Sequence, residues 1–258
     1  MKVPTVKFPF PNLLLAIGLF AVLDPVAKSQ TPQDYLHSLI GQKLILRHFG
    51  DAREAKVKKD KLAGLQGTCD VAVLVKDALW EKGQARLQWE QIGLPYVPGQ
   101  PRGVCKDTVV FDQGKIKVTG FESGESSDSL AASLGLILQT PEQYLAAAGV
   151  SFDLPPEPDA DNLGPPPAPP FNRPRVLLTV NPAFSNEARS AKYQGSLIVS
   201  VYVGTDGRIH RPSIARKLGL GLDENALNVL PLWRFEPARK LDKPFALQQS
   251  VEINFHLY

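Results

Sequence analysis

Alternating apolar and polar positions in the last third of the chain predict a small sheet. Residues 195–203 alternate in the manner of a strand that is buried mainly on one face. Gly204 to Gly207 predict a turn, and residues 208–218 return as a second strand. Residues 245–257 alternate most regularly and predict a third strand, with Val251, Ile253 and Phe255 on the buried face.

Helical spacing occurs twice in the same part of the chain. Residues 186–193 predict a short helix ahead of the first strand. A second helix is predicted to begin with Asp223 as its N-cap and to end before Pro237, which cannot continue a helix. Its predicted inward side chains recur at helical spacing: Ala226, Leu227, Leu230 and Trp233. These aromatic and aliphatic residues are interpreted as core.

The region before residue 153 has a different pattern, with several short strands between two helices. Helices are predicted over 31–41, with Thr31 as N-cap and Pro32 at the first helical position, and over 140–149, with Thr140 as N-cap and Gln143 closing a capping box. Strands are predicted at 43–49, 70–76, 85–93 and 108–120, the last as a hairpin that turns at residues 112–114. The fold class is therefore α+β: a β-rich N-terminal domain precedes a C-terminal domain with a three-stranded antiparallel sheet and two helices.

Composition marks a linker between these two regions. Residues 153–174 contain nine prolines and four acidic residues, so this segment cannot build a core and is predicted to be an extended spacer. The predicted divisions are a targeting segment at 1–29, a β-rich domain of unknown role at 30–152, the linker at 153–174 and a C-terminal domain at 175–258.

The first 29 residues resemble an export signal. Lys2 and Lys7 precede the apolar run Leu13–Leu23, which is about half as long as a membrane-spanning helix. Ala27 and Ser29 then supply small residues at the positions that a signal peptidase reads. We expect a cleaved signal peptide; the alternative is an uncleaved membrane anchor.

Charge and cysteine content narrow the function classes. Three of the 29 basic residues and one of the 26 acidic residues lie in residues 1–29, so the remainder is nearly neutral and predicts no nucleic-acid binding. Cys69 and Cys105 are the two cysteines, and in an exported chain they predict a disulfide. The alternative is a pair of buried thiols; two cysteines are too few for a closed zinc site.

Motifs for catalysis are missing from the sequence. It contains no nucleophile elbow, no zinc-binding pair of histidines on a helix and no phosphate-binding loop. The sequence therefore predicts neither an enzyme, nor a bound metal, nor a cofactor.

The unbroken run Trp-Arg-Phe-Glu-Pro-Ala at residues 233–238 is the most specific of several short motifs in the C-terminal domain. Over about residues 175–258 these motifs resemble the C-terminal domain of the TonB family, which has the signature Trp-Arg-Phe-x-Pro-Ala. The chain departs from the family pattern at Ser185, where a second proline is expected, and at Pro231 inside the second helix. The other matching positions are Pro182, Phe184, Ala188, Arg189, Ala191, Gly195, Asp206, Gly207, Leu222, Asp223, Val251, Ile253 and Phe255.

This resemblance implies a periplasmic domain that binds an extended peptide of an outer-membrane transporter. The peptide would add as a strand to the edge of the last strand. The implied peptide-binding residues are Asn181, Pro182, Phe184, Val251, Glu252, Ile253, Asn254, Phe255 and His256. The alternative is a periplasmic structural or adaptor protein that uses this domain for self-association or for binding an envelope protein. Neither hypothesis predicts the oligomeric state. The expected location is the periplasm, and the alternative is a protein anchored in the inner membrane and facing the periplasm.

Overall fold

The computed structural model describes residues 31–49, 53–65, 69–100, 113–150 and 166–257. These residues form a mixed α+β fold, as the sequence predicts. The helices are α1 (Pro32–Leu39), α2 (Ser127–Leu134), α3 (Pro141–Ala147), α4 (Asn186–Ser190) and α5 (Leu222–Val229), with 3-10 helices at Lys59–Gly64 and Leu230–Leu232. The strands are β1 (Lys43–Leu46), β2 (Glu54–Lys58), β3 (Val71–Glu81), β4 (Gln84–Tyr96), β5 (Gln113–Thr119), β6 (Leu138–Gln139), β7 (Arg175–Pro182), β8 (Gly195–Val203), β9 (Ile209–Arg216), β10 (Arg234–Glu236), β11 (Ala238–Lys240), β12 (Lys243–Phe245) and β13 (Leu247–Phe255).

The C-terminal sheet confirms the three strands predicted from the alternation of apolar and polar residues. Its strand order is β13-β8-β9, all antiparallel. β13 pairs with β8 without interruption, from Leu247 opposite Val203 to Phe255 opposite Gly195. The fully buried side chains of β8 pack in one cluster with α5 and with Ile253 and Phe255, so burial of one face fixes the register of β13.

The larger sheet is built around the long hairpin of β3 and β4. Its strands run in the order β10-β7-β4-β3-β1-β6, and β5 also pairs with β4 while β2 pairs with β5. The hairpin turns at Lys82 and Gly83, which both have positive φ, as a two-residue turn between strands requires. A Cβ at Gly83 would lie 2.5 Å from the backbone oxygen of Phe121, so glycine is needed there.

Helix starts in the N-terminal region follow the capping grammar of the sequence. Both predicted N-caps, Thr31 and Thr140, accept a hydrogen bond from the backbone of the third helical residue. In each case the side chain of that third residue, Asp34 or Gln143, accepts a bond from the N-cap backbone in return. These reciprocal bonds satisfy backbone donors that the helix itself leaves unpaired.

Two local predictions were wrong. Asp223 is not the N-cap of α5; Gly221 is, at φ +74°, and the buried Asp223 carboxylate instead accepts bonds from the Leu218 and Gly219 amides at 2.8 and 3.1 Å. The turn predicted at 112–114 is also wrong, because Gln113 and Gly114 belong to β5. Gly114 packs so closely on the Trp89 ring that a Cβ would lie 2.0 Å from it, which explains a glycine inside a strand.

The two departures from the TonB-like sequence pattern have local explanations. Pro231 lies in the 3-10 helix that follows α5, so the α-helix has already ended at Val229 and loses no interior hydrogen bond. Ser185 is the N-cap of α4, and its side chain accepts a bond from the Ala188 amide at 3.0 Å.

The regions on either side of the proline-rich linker share one sheet. β7, which follows the linker, pairs antiparallel with the end of β4, with Gly93 opposite Pro182 and Tyr96 opposite Thr179. Ala72 and Ile92 from the N-terminal region pack in the same hydrophobic cluster as α5. The boundary at 153–174 stays a prediction, but this continuous sheet disfavours independent folding of the two regions.

Other predictions concern residues that the structure leaves undescribed. Residues 1–29 lie outside the described ranges, so the signal peptide stays a prediction. Within those ranges no helix is long and apolar enough to cross a membrane. Cys69 is buried, but Cys105 lies outside the described ranges, and the disulfide therefore also stays a prediction.

Candidate peptide-binding edge

β13 is an edge strand in the part of the chain that the structure describes. It pairs with β8 on one side, and no described strand pairs with its other side. A strand edge of this kind presents unpaired backbone donors and acceptors to solvent or to an added strand. Which residues direct their backbone N–H and C=O groups to this open side depends on how β13 is rotated about its axis.

Three hydrogen bonds define that rotation. The Gly204 amide donates to the Arg208 oxygen at 2.9 Å, and the Ser196 oxygen accepts from Arg216 Nη2 at 3.4 Å, so even-numbered residues of β8 direct their backbone groups toward β9. Ser196 lies opposite Asn254, and opposed residues in an antiparallel pair point either toward or away from one another. Asn254 therefore points away from β8. Consistently, the Leu257 amide donates to Gln194 Oε1 on the β8 side at 2.9 Å.

The open edge consequently consists of the backbone groups of every second residue of β13. The side chains of these residues are exposed: Gln248, Ser250, Glu252 and Asn254. The intervening residues direct their backbone groups to β8 and their side chains to the core, where Ile253 is 4% and Phe255 2% exposed. One set of residues thus holds the strand in place while the other remains available for pairing.

The predicted site residues divide into two groups. Phe184 packs edge-on against Phe255, with ring centroids 5.3 Å apart, so the structure joins the segment after β7 to the end of β13. Asn181 and Pro182, in contrast, lie within β7 and pair with Leu94 and Gly93 of β4. One edge of the backbone at these two residues is therefore already paired with a strand of the same chain.

The remaining site residues lie along or just beyond the open edge. Val251 is half-buried on the core face, and Glu252 makes an exposed ion pair with Arg216 at 3.4 Å. His256 follows the end of β13 and is exposed. The side chains around the edge are thus mostly solvated, and strand addition there would depend on backbone pairing.

The Trp-Arg-Phe signature supports the sheet and lies away from the open edge. Trp233 Nε1 donates to the Val180 oxygen of β7 at 3.0 Å, and the Phe235 amide donates to the Gly207 oxygen at 2.8 Å. Phe235 is 1% exposed. The interpretation of both aromatic residues as core is confirmed.

Arg234, the central residue of the signature, makes an ion pair that the sequence analysis missed. Its Nε donates to Glu142 Oε1 at 2.7 Å, and its Nη1 donates to the Pro231 and Trp233 oxygens. Burial opposes ionisation of Glu142, but the charge and hydrogen bond of Arg234, together with a backbone hydrogen bond and the charge of Arg208, outweigh burial and hold the pKa of Glu142 below its ordinary value. Glu142 lies in the first turn of α3, so this pair ties the N-terminal region to the C-terminal domain.

The arrangement can hold an extended polypeptide, and its chemistry is that of backbone pairing. Among the residues that the structure describes, no group of three or more His, Cys, Asp or Glu side chains is arranged to hold a metal ion. The pairing groups are main-chain amides and carbonyls, which recognise strand conformation more than side-chain identity.

Comparison with known families agrees with this geometry. Residues 180–257 match the model of the family described as Gram-negative bacterial TonB protein C-terminal. No curated protein matches the chain. The family domain is a non-enzymatic interaction domain of the cell envelope that acts in energy transduction and contacts outer-membrane transporters. The matched segment runs from β7 through β13, so the chain is similar to the TonB C-terminal domain over residues 180–257.

Proposed function

We propose that the protein binds an extended peptide segment of an outer-membrane transporter by strand addition to β13. The single observation that carries this proposal is the open edge: four residues of β13 direct their amides and carbonyls away from β8. The family match supports the class of partner, since TonB C-terminal domains contact outer-membrane transporters. The protein acts in this proposal as a binding module in transport across the outer membrane.

The proposed site centres on β13 and the adjoining Phe184, because one edge of Asn181 and Pro182 is paired with β4. An incoming strand would pair with Gln248 to Asn254. An apolar side chain at one of its ends would meet the half-buried ring of Phe184, which packs on the buried Phe255. His256 lies at the same end and is exposed.

The proposed location is the periplasm, reached through the cleaved signal peptide at residues 1–29. The envelope association of the family supports this location. Mass spectrometry of the protein recovered after expression tests this location. Cleavage near Ser29 is expected, and an intact Met1 in the membrane fraction would favour the inner-membrane-anchored alternative.

Substitution of Asn254 by proline tests the binding edge. The Asn254 amide points outward, so proline removes one donor from the edge without removing a bond to β8, and an edge strand tolerates it. One hydrogen bond contributes about 0.5–1.5 kcal/mol, which is about a two- to twelve-fold change in Kd, and the ring also obstructs the incoming strand. We expect at least about tenfold weaker binding of a transporter peptide.

The matched control is Asn254→Ala, which removes the same side chain and keeps the backbone N–H. Its binding should stay within about threefold of the unsubstituted protein because the side chain is exposed. Equal binding by Asn254→Pro and Asn254→Ala, with both variants folded by circular dichroism, would contradict strand addition at β13.

The second candidate is a structural or adaptor protein of the envelope. The specific observation in its favour is the continuous sheet, which fixes the N-terminal region against the TonB C-terminal domain through β4 and β7. In that case the open edge pairs with a second copy or with an envelope protein. Copurification from envelope extracts distinguishes the two: transporters should be recovered under the first proposal, and scaffold proteins or self-association alone under the second.

A further inference from the structure

Three cationic side chains lie in one row across β2, β5 and β4. Lys56 is opposite Lys117 in the parallel pairing of β2 with β5, and Lys117 is opposite Arg86 in the antiparallel pairing of β5 with β4. Opposed residues on neighbouring strands project from the same face of a sheet, and like charges in that arrangement destabilise the pairing. The row thus contains a repulsion that an anionic partner would relieve.

A fourth cation extends this surface. Lys115 is exposed and lies two residues before Lys117 on β5, so it projects from the same face. We call Lys56, Arg86, Lys115 and Lys117 the basic face; they line a shallow groove of about 360 Å³. The alternate residues of the same strands, such as Ile116, point into the core.

Acidic neighbours offset this charge only in part. Arg86 pairs with Glu81 at 3.2 Å, and Glu54 lies opposite Lys115 in the strand register. Within the described ranges, no carboxylate lies within ion-pair distance of the ammonium groups of the three lysines of the basic face. The face therefore retains a local positive charge, although the chain beyond residue 29 is nearly neutral.

The shape and surroundings of the basic face favour a lipid surface as the partner. Lysines bind phosphate as mobile point charges, which suits headgroups on a plane better than one shaped ligand. Leu79, which is 41% exposed, lies opposite Arg86 on β3 and adds an apolar contact at the border.

We propose that the basic face binds the phosphate headgroups of an anionic membrane surface. Each lysine near such a surface contributes about 1 kcal/mol, which corresponds to about a fivefold change in affinity. The face lies on the sheet of the N-terminal region and β13 on the other sheet, so membrane binding and peptide binding can fail separately.

Vesicle cosedimentation tests the proposal. The full chain is expressed, and the protein is purified as the cell has processed it. Vesicles of phosphatidylglycerol mixed with phosphatidylcholine should bind the protein more tightly than vesicles of pure phosphatidylcholine do. Binding to the pure phosphatidylcholine vesicles measures any contribution of a retained apolar segment. The variant Lys56→Gln/Lys117→Gln should lose about 25-fold in affinity for the anionic vesicles and nothing for the neutral ones. Raising the salt from 0.1 to 1 M shortens the Debye length from about 10 to about 3 Å and should abolish the difference.

The matched control is Lys217→Gln/Lys243→Gln, which makes the same change in net charge at two exposed lysines of the C-terminal domain. It should bind anionic vesicles within about twofold of the unsubstituted protein. An equal loss in both double variants would overturn the proposal, because it would reflect net charge alone, and so would the absence of any preference for anionic vesicles.

Two competitors identify other partners. Inorganic phosphate at 10 mM should displace the protein from vesicles only weakly, since the membrane presents many phosphates at once; complete displacement indicates a single-phosphate site and overturns the proposal. A polyglutamate peptide that binds the basic face as tightly as anionic vesicles do would likewise overturn it, in favour of an acidic protein partner.

Discussion

The ion pair between Glu142 and Arg234 gives the sharpest test of how the two regions are joined. The change is Glu142→Gln, which keeps the size of the side chain and removes its charge. Arg234 is 5% exposed, and its Nε would then face a weak amide partner in place of a carboxylate at 2.7 Å. Its Nη1 keeps the bonds to the Pro231 and Trp233 oxygens.

The expected loss of stability follows from the burial of the two partners. Removing one partner of a fully buried pair costs about 3–5 kcal/mol, because it leaves an uncompensated charge. The Glu142 side chain is 32% exposed, so water can partly solvate Arg234 in the variant. We therefore expect the free energy of unfolding to fall by about 2–3 kcal/mol.

Urea unfolding measures this change, with Glu236→Gln as the matched control. Glu236 pairs with Arg175 at 2.8 Å, a similar distance, but the two side chains are 40% and 74% exposed. A surface pair of this kind contributes about 0–1 kcal/mol, so this variant should lose little. Equal losses in the two variants, within about 0.5 kcal/mol, would refute the role assigned to burial.

The same pair predicts a dependence on pH. The pKa of Glu142 in the folded protein lies below its ordinary value of 4.5, since the opposing effect of burial is outweighed by Arg234 together with a backbone hydrogen bond and the charge of Arg208. A lowered pKa stabilises the fold above the unfolded-state value, and this stabilisation disappears as the pH falls through the folded-state value. The difference in stability between the unsubstituted protein and Glu142→Gln should therefore be constant at neutral pH and shrink below about pH 4.5. A difference that stays constant down to pH 3 would contradict this assignment.

Two further substitutions test the sheet and the start of α5. In Gly93→Ala the new Cβ would lie 2.3 Å from a backbone oxygen of β7, so amide exchange in β7 should accelerate while exchange in β8 is unchanged; Gly64→Ala, with open space around it, is the control. Equal exchange rates in the two variants would show that β4 and β7 are not closely paired. Asp223→Asn replaces a buried carboxylate that accepts two backbone bonds, and urea unfolding should show a loss of about 1–3 kcal/mol. A loss below about 0.5 kcal/mol would mean that the two amides find other partners.

The sequence predicted those elements whose pattern is local and one-sided. β8 and β13 each bury one face against α5, so their alternation is visible in the residues themselves. Thr31 and Thr140 were found for the same reason, because the signals that mark an N-cap are local: Pro32 directly follows Thr31, and Gln143 lies three positions after Thr140.

The elements that were missed depend on pairing between distant residues. β7 reads as Val-Leu-Leu-Thr-Val, but its partner β4 lies more than eighty residues earlier, and no local pattern records that pairing. β2 carries exposed charges at alternate positions and pairs parallel with β5, across about sixty residues. Glu142 and Arg234 are ninety-two residues apart, so their ion pair left no trace in either local motif.

The candidate site was predicted in part. Alternation located the strand and separated its buried face from its exposed face, with Ile253 and Phe255 inward. The pairing of Asn181 and Pro182 with β4 could not be foreseen, because it again depends on long-range contacts. The direction of the edge amides required hydrogen bonds at Ser196 and Gly204 that a one-dimensional pattern does not contain.

Residue-resolved amide exchange in the presence of a transporter peptide tests the central claim most directly. Without peptide, the outward amides of Ser250, Glu252 and Asn254 should exchange rapidly, while those of Val251 and Ile253 are protected by β8. Saturating peptide should slow the three outward amides at least about tenfold and leave the inward ones unchanged. Peptide binding that protects none of the outward amides, or that protects β9 in their place, would contradict strand addition at β13.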